Sequence, residues 1–337
     1  MKLSMWNFEF IQLDLRVTWK IARNSSTFKK NLIVTYKDTE CSFKGEAAPN
    51  IRYGETPKSL EEDVESFKRL INECADFDTL YKRTIKANLS NCFKFAVTSI
   101  YHQREAALQN LSMFEYLKLA PVDQCQTSFS LPMLELEEIY HYLEQNKLFN
   151  SPLLKLKVRN DQDIPQYQEL RKHFSGKVII DANEGMQSQK EWNSFIEKLR
   201  DFSNIALIEQ PFPADQIELY KTIKPDSPVP LFLDESITQQ PITAELQDLC
   251  HGVNIKLMKS ADILIAKKQL EEAKELGFQT MLGCMIESSL SISMAFYLSG
   301  ITDYIDLDGF ALLKEDPSQV MSYKQQILKL DLSDNNR

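Results

Sequence analysis

From Cys125 onward the chain repeats one rhythm: a short apolar run, then a polar stretch whose apolar residues fall at helical spacing. The runs are "TSFSL", "LLKLKV", "KVIIDAN", "IALIEQP", "PLFLDES", "GVNIKLM", "QTMLGCM" and "DYIDLDG". They recur about every 25 residues, the length of a strand plus its crossover helix. Eight such strands point to a closed parallel barrel rather than an open sheet. The stretch after the last run, "FALLKEDPSQVMSYKQQILKL", makes a poor barrel helix. The expected class is therefore α/β, a modified TIM barrel of the (β/α)7β type. Before Cys125, "FEFIQLDLRV" and "KNLIVTYKDTECSFKGEAAP" alternate as antiparallel strands do. Helical spacing begins at "TPKSLEEDVESFKRLINECA", with Thr56 and Pro57 as start signals. This predicts an α+β capping domain over residues 1–121, completed by 318–337, and a catalytic barrel over 122–317, with Pro121 at the boundary.

Composition excludes several classes. A net charge of −9 argues against a nucleic-acid partner, which asks for basic patches. No segment is apolar enough to span a bilayer, so no membrane partner is expected. The start "MKLSMWNFEFIQLDL" alternates like a strand and lacks the pattern of a secretory leader, which predicts a cytoplasmic protein. The 6 cysteines are scattered without a Cys-x-x-Cys pair, as suits free thiols in a reducing compartment. None of the 4 histidines falls where a barrel strand ends, so a His-centred site is not expected.

Active sites of parallel barrels form where the strands' C-terminal ends open into loops. There the polar residues are informative. "VIIDAN" ends in Asp181, with Asn183 beyond it; "ALIEQP" ends in Glu209; "LFLDES" ends in Asp234. Any one of these acids can be read as a helix cap. Three on successive strands repel one another in one mouth and call for a hard divalent cation such as Mg²⁺. Lysines face them. Lys155 and Lys157 stand two apart in "LLKLKV" and share one face, while Leu154, Leu156 and Val158 share the other. "VNIKLMKS" brings Lys256 to the matching height on the opposite side. Amines crowded by cations have lowered pKa values and suit general-base work. Lys155 is expected to lower the pKa of Lys157 and to bind a substrate oxygen.

Taken in order, "GEAAP", "KLK", "DAN", "EQP", "DES" and "NIKLMK" resemble the muconate-lactonizing-enzyme subgroup of the enolase superfamily over most of the chain. Enolase-superfamily sites are known for pairing a Lys or His base with Mg²⁺ to hold an enediolate. The resemblance implies Asp181, Glu209 and Asp234 as Mg²⁺ ligands and Lys157 and Lys256 as two bases on opposite faces of one carbon. It also implies a cap that helps select substrate, and it is compatible with a homo-oligomer. Strand seven, "MLGCMIESS", lacks the histidine of mandelate-racemase relatives, and Arg159 stands where many relatives carry glycine.

Within the subgroup the last strand discriminates. "DYIDLDGF" sets Asp306 and Asp308 on one face, fit to bind an α-ammonium. It is similar to the Asp-x-Asp motif of dipeptide epimerases. That similarity further implies Cys284 and Met285, Ser130 and Asn183 as pocket residues, and Arg23 as a partner for a substrate side-chain carboxylate. The expected substrate is a small dipeptide, L-Ala–D/L-Glu or another Ala-containing one. An N-acylamino acid racemase, a cycloisomerase and a catalytically silent metal- or ligand-binding barrel remain as alternatives.

Overall fold

A computed structural model describes residues 2–21, 24–39 and 41–331, the side chains of 19–21, 24 and 25 excepted. The chain opens with an antiparallel sheet of β1 (Trp6–Ile21), β2 (Asn24–Lys37) and β3 (Ser42–Ala47), in that spatial order. Its two faces are used at different ends. Trp6, Leu32, Val34 and Tyr36 are buried under α1 (Pro57–Glu73), α2 (Phe77–Lys86) and α3 (Asn91–Leu108), with Trp6 edge-on to Phe67 of α1. Leu13 and Leu15, of opposite parity, are buried on the other face, where Leu15 bridges to Leu313. Helix α1 starts where the sequence marks it: the Thr56 hydroxyl accepts the Ser59 N–H at 3.1 Å and Pro57 needs no donor.

Helix α3 is buried on all sides from Cys92 to Ile100. Gly45 lets it touch β3, for a Cβ there would fall 1.9 Å from the Ala96 carbonyl oxygen. The same helix grips the barrel. Asn91 Nδ2 donates to the Lys259 carbonyl at 2.9 Å, Thr98 Oγ1 donates to that of Ala261 at 3.1 Å, and His102 Nε2 lies 2.9 Å from Asp262 Oδ2.

After β4 (Cys125–Gln126) comes the parallel sheet: β5 (Phe129–Leu131), β6 (Leu153–Lys157), β7 (Lys177–Asp181), β8 (Ile205–Glu209), β9 (Leu231–Leu233), β10 (Gly252–Lys256), β11 (Gln279–Gly283) and β12 (Tyr304–Asp306). Each apolar run contains one of these strands, and spatial order follows chain order. A main-chain hydrogen bond of 2.8 Å from Ser128 to Ile305 links the first of them to the last. The crossovers are α-helical except after β9, where Pro241 disfavours helix at Gln240 and a 3-10 turn, Ala244–Asp248, leads to β10. Beyond β12 the chain makes only a 3-10 turn, Gly309–Leu312, then a hairpin of β13 (Met321–Lys324) and β14 (Ile327–Leu330) that pairs with β4. Among the described residues no helix is long and apolar enough to cross a membrane, and all 6 cysteines are free thiols.

Period-two alternation stacks two storeys inside the barrel. Leu153, Ile179, Leu207, Phe232, Met281 and Tyr304 form an apolar floor. Two residues further along the same strands, toward their C-terminal ends, stand Lys155, Asp181, Glu209, Asp234, Gly283 and Asp306. The lower storey keeps water out and the upper one carries the charge.

Candidate active site

Lys155 is the hub of the upper storey. Its Nζ lies 3.1 Å from Asp181 Oδ2, 2.7 Å from Glu209 Oε2 and 2.8 Å from Asp306 Oδ2. Lys157 pairs with Asp181 at 2.5 Å and Lys256 with Asp234 at 2.7 Å. Lys157 and Lys256 come from β6 and β10, across the ring from each other, and each side chain is only 11% exposed. Both amines point inward. Lys259, on the short helix Leu257–Ser260, also donates to the Asp234 carboxylate and to the Asn254 carbonyl.

Electrostatics follow from this pairing. Burial works against ionisation of Asp181, but Lys155 and Lys157 outweigh it and hold that acid at about 2. Lys256 and Lys259 likewise hold Asp234 below the ordinary range against its burial. Glu209 goes the other way: burial, reinforced by Asp181 and Asp234, pushes it up to about 7 despite Lys155. Burial and the Asp234 charge push Glu235 up to about 8. At Lys155 and Lys256 the arrangement does not lower the pKa. Burial alone would lower Lys155 and Lys256, yet the acids paired with them hold both above the ordinary lysine value.

Among the described residues no three acidic, His or Cys side chains are already gathered around one point; lysines stand between the acids instead. The charges do not balance. Asp181, Glu209, Asp234, Glu235, Asp306 and Asp308 are six carboxylates facing four amines, Lys155, Lys157, Lys256 and Lys259. The neighbouring acids add to burial in raising Glu209 and Glu235.

A cavity of about 690 Å³ opens above this storey. Lys155, Lys157, Asp234, Lys256, Asp306 and Asp308 line it, with Ser130, Asn183, Cys284 and Met285. Asp181 and Glu209 are buried behind the lysines, at 1% and 0% exposure. Asp306 accepts from Ser128 Oγ at 2.6 Å as well as from Lys155, and Asp308 accepts the Ser130 N–H at 2.5 Å. Burial and the neighbouring Asp306 charge push Asp308 up to about 7. Asn183 has φ 44° and its Nδ2 donates to Glu235 Oε1 at 3.2 Å. Arg23 lies outside the described residues. The roof comes from β2 and the segment 49–57, tied down by Asn50 Nδ2 on Met285 Sδ at 3.4 Å. Arg52 adds two parallel bonds of 2.8 Å to Glu184.

Several site residues escape a reading of the sequence alone. Asn254 donates to Glu209 Oε1 at 2.7 Å; its place two residues before Lys256 on an inward face was the available signal. Gln210, at φ 40°, accepts the Asp234 N–H at 2.8 Å and donates to Ser236 Oγ at 2.8 Å, fixing the end of β9. Lys259 follows the strand on a turn of helix, where alternation no longer applies. Gly283 makes room: a Cβ there would lie 2.5 Å from Asn254 Oδ1 and 2.9 Å from Lys256 Cε.

Comparison with known proteins agrees with this fold. The sequence model of the enolase C-terminal domain-like family matches residues 144–324. An L-Ala-D/L-amino acid epimerase of Flavobacterium johnsoniae is 30% identical, with 94% of this chain and 94% of that one covered. A Pedosphaera parvula protein of the same description is 32% identical, over 94% of this chain and 92% of its own. The L-Ala-D/L-Glu epimerase of Bacillus subtilis, solved as a substrate-liganded complex, superposes with a TM-score of 0.87 at 25% identity, over 96% of this chain and 95% of its own.

Proposed function

We propose that this chain, an isomerase that belongs to the enolase C-terminal domain-like family, is a Mg²⁺-dependent dipeptide epimerase that inverts the α-carbon of the C-terminal residue with two lysine bases. The observation that carries the reading is the pair of inward amines, Lys157 and Lys256, on opposite walls of one cavity above buried carboxylates. Residues 1–121 would act as the cap and 122–317 as the catalytic barrel.

The donors suit the ion. Asp181, Glu209 and Asp234 end three adjacent strands and offer only oxygen, as a hard divalent cation prefers. The two carboxylates in excess of amines match its charge. These three acids would hold Mg²⁺, which when bound stabilises negative charge developing on a substrate carboxylate. The lysines then cease to be the sole counter-charge of these acids. What holds Lys256 above its ordinary value is chiefly Asp234; with that acid engaged, a buried amine among cations falls toward a value fit for a base. Lys157 takes the α-proton from one face, an enediolate results, and Lys256 returns a proton to the other face. The opposite epimer runs the steps in reverse. Lys155 remains charged and binds a substrate carboxylate oxygen.

Asp306 and Asp308 would hold the substrate's free α-ammonium, and an arriving cation relieves the repulsion that raises Asp308. Ser130, Asn183, Cys284 and Met285 shape the pocket. N-acyl substrates and muconate carry no ammonium, so this acidic pair disfavours the racemase and cycloisomerase readings. The favoured substrate is L-Ala–D/L-Glu or another Ala-containing dipeptide.

Metal dependence has a readout independent of turnover. A ligand that binds only the native state raises stability by RT ln(1 + c/Kd), where c is its free concentration. Mg²⁺ should raise the thermal unfolding midpoint of the wild type and restore epimerisation lost to a chelator, and Asp234→Asn should abolish both effects. A midpoint indifferent to Mg²⁺, with turnover untouched by the chelator, would contradict the metal assignment.

A further inference from the structure

Lys29 sits on β2 opposite Leu13, two residues from Asn31. Asn31 is buried and faces the barrel, donating to Glu46 Oε1 at 2.7 Å and to the Ile286 carbonyl at 3.2 Å. Alternation puts Lys29 on that same face, where it lines the cavity that also holds Lys157 and Lys256. Its neighbour Lys30 lies over the Phe10 ring at 5.1 Å.

Lys29 differs from the other cations of the cavity. Lys155, Lys157 and Lys256 are paired with acids, and Arg52 is committed to Glu184. Among the described residues Lys29 has neither an ion pair nor a hydrogen bond. Burial lowers its pKa and no neighbouring acid compensates, so the ammonium gains when an anion arrives. On the barrel side the lysines already face acids, and Asp306, Asp308 and Glu235 repel an anionic side chain. On the cap side Lys29 stands near neutral Asn31, Asn50 and Ile51, while Lys30 is turned to the Phe10 ring.

We infer that Lys29 selects dipeptides whose C-terminal residue has an acidic side chain, by a charge-assisted hydrogen bond from its Nζ to that side-chain carboxylate. The inference rests on the epimerase reading and names the substrate class within it. The resemblance implies the same kind of contact for Arg23, which lies outside the described residues.

The test compares kcat/KM for L-Ala-L-Glu and L-Ala-L-Gln, which differ in side-chain charge and hardly in size. The wild type should prefer the acidic dipeptide about tenfold or more, equivalent to about 1.4 kcal/mol. Lys29→Met should bring that ratio close to unity, and Lys29→Arg should keep most of it. A wild type without the preference, or a Lys29→Met enzyme that retains it, overturns the inference while leaving an epimerase in place. A wild type that epimerises neither these nor any other dipeptide removes the epimerase reading and this inference together.

Discussion

Lys157→Ala and Lys256→Ala each abolish epimerisation, with kcat falling about 10³-fold or more, the upper part of the range for loss of a general acid–base group. The two variants should differ from one another in a telling way. Each lacks the amine on one face of the α-carbon, so each exchanges the α-proton of only one epimer with solvent, and the two variants select opposite epimers. Neither substitution should cost the fold. Asp181 keeps Lys155 as a counter-charge when Lys157 is removed, and Asp234 keeps Lys259 when Lys256 is removed. That redundancy matters because stripping the only partner from a buried ion pair is strongly destabilising. Circular dichroism and the unfolding midpoint check the fold, and chiral chromatography with solvent deuterium checks the exchange. Undiminished turnover by both variants would rule out the two-base scheme.

The second large effect is at the other end of the substrate. Asp306→Asn keeps the shape of the side chain and removes its charge. Lys155 stays paired with Asp181 and Glu209, and the Ser128 hydroxyl still has an oxygen to bond. Loss of one partner of a charged hydrogen bond in a buried site costs about 2–5 kcal/mol. The expected result is a fall of about 10²-fold or more in kcat/KM for dipeptides, with the Mg²⁺ dependence of the unfolding midpoint little changed. Activity on N-succinyl or N-acetyl amino acids, if any, should not fall in parallel, since they have no ammonium to lose. Equal losses of dipeptide activity and Mg²⁺ affinity would show that Asp306 serves the metal region instead.

The contrast between what could and could not be read from the chain follows from the physics of strands. Alternation fixes which side chains face inward, and a parallel barrel fixes which strand ends meet. Lys155, Lys157, Lys256, Asp181, Glu209, Asp234 and Asp306 are therefore legible as one constellation. Lys259 is not, because it lies on a helical turn after β10 where period two has ended. Gln210 acts through a positive-φ conformation that its residue type does not announce. Arg52 reaches Glu184 across 132 positions, a contact that no local pattern encodes. The lysine pKa values show a subtler gap. Sequence reveals that cations share a site but not that each is paired to an acid, and at Lys155 and Lys256 pairing decides the direction. Lys29 is the reverse case. Its residue type suggests a solvated strand lysine, and only its register beside Asn31 turns it toward the cavity.

Most directly, the central claim is tested by proton NMR of L-Ala-L-Glu incubated with the wild-type protein and Mg²⁺ in deuterated water. The glutamate α-proton signal should disappear as deuterium enters and the D-Glu epimer accumulates, while the alanine α-proton stays intact. Persistence of the glutamate α-proton, here and across a broad dipeptide library, would contradict the account.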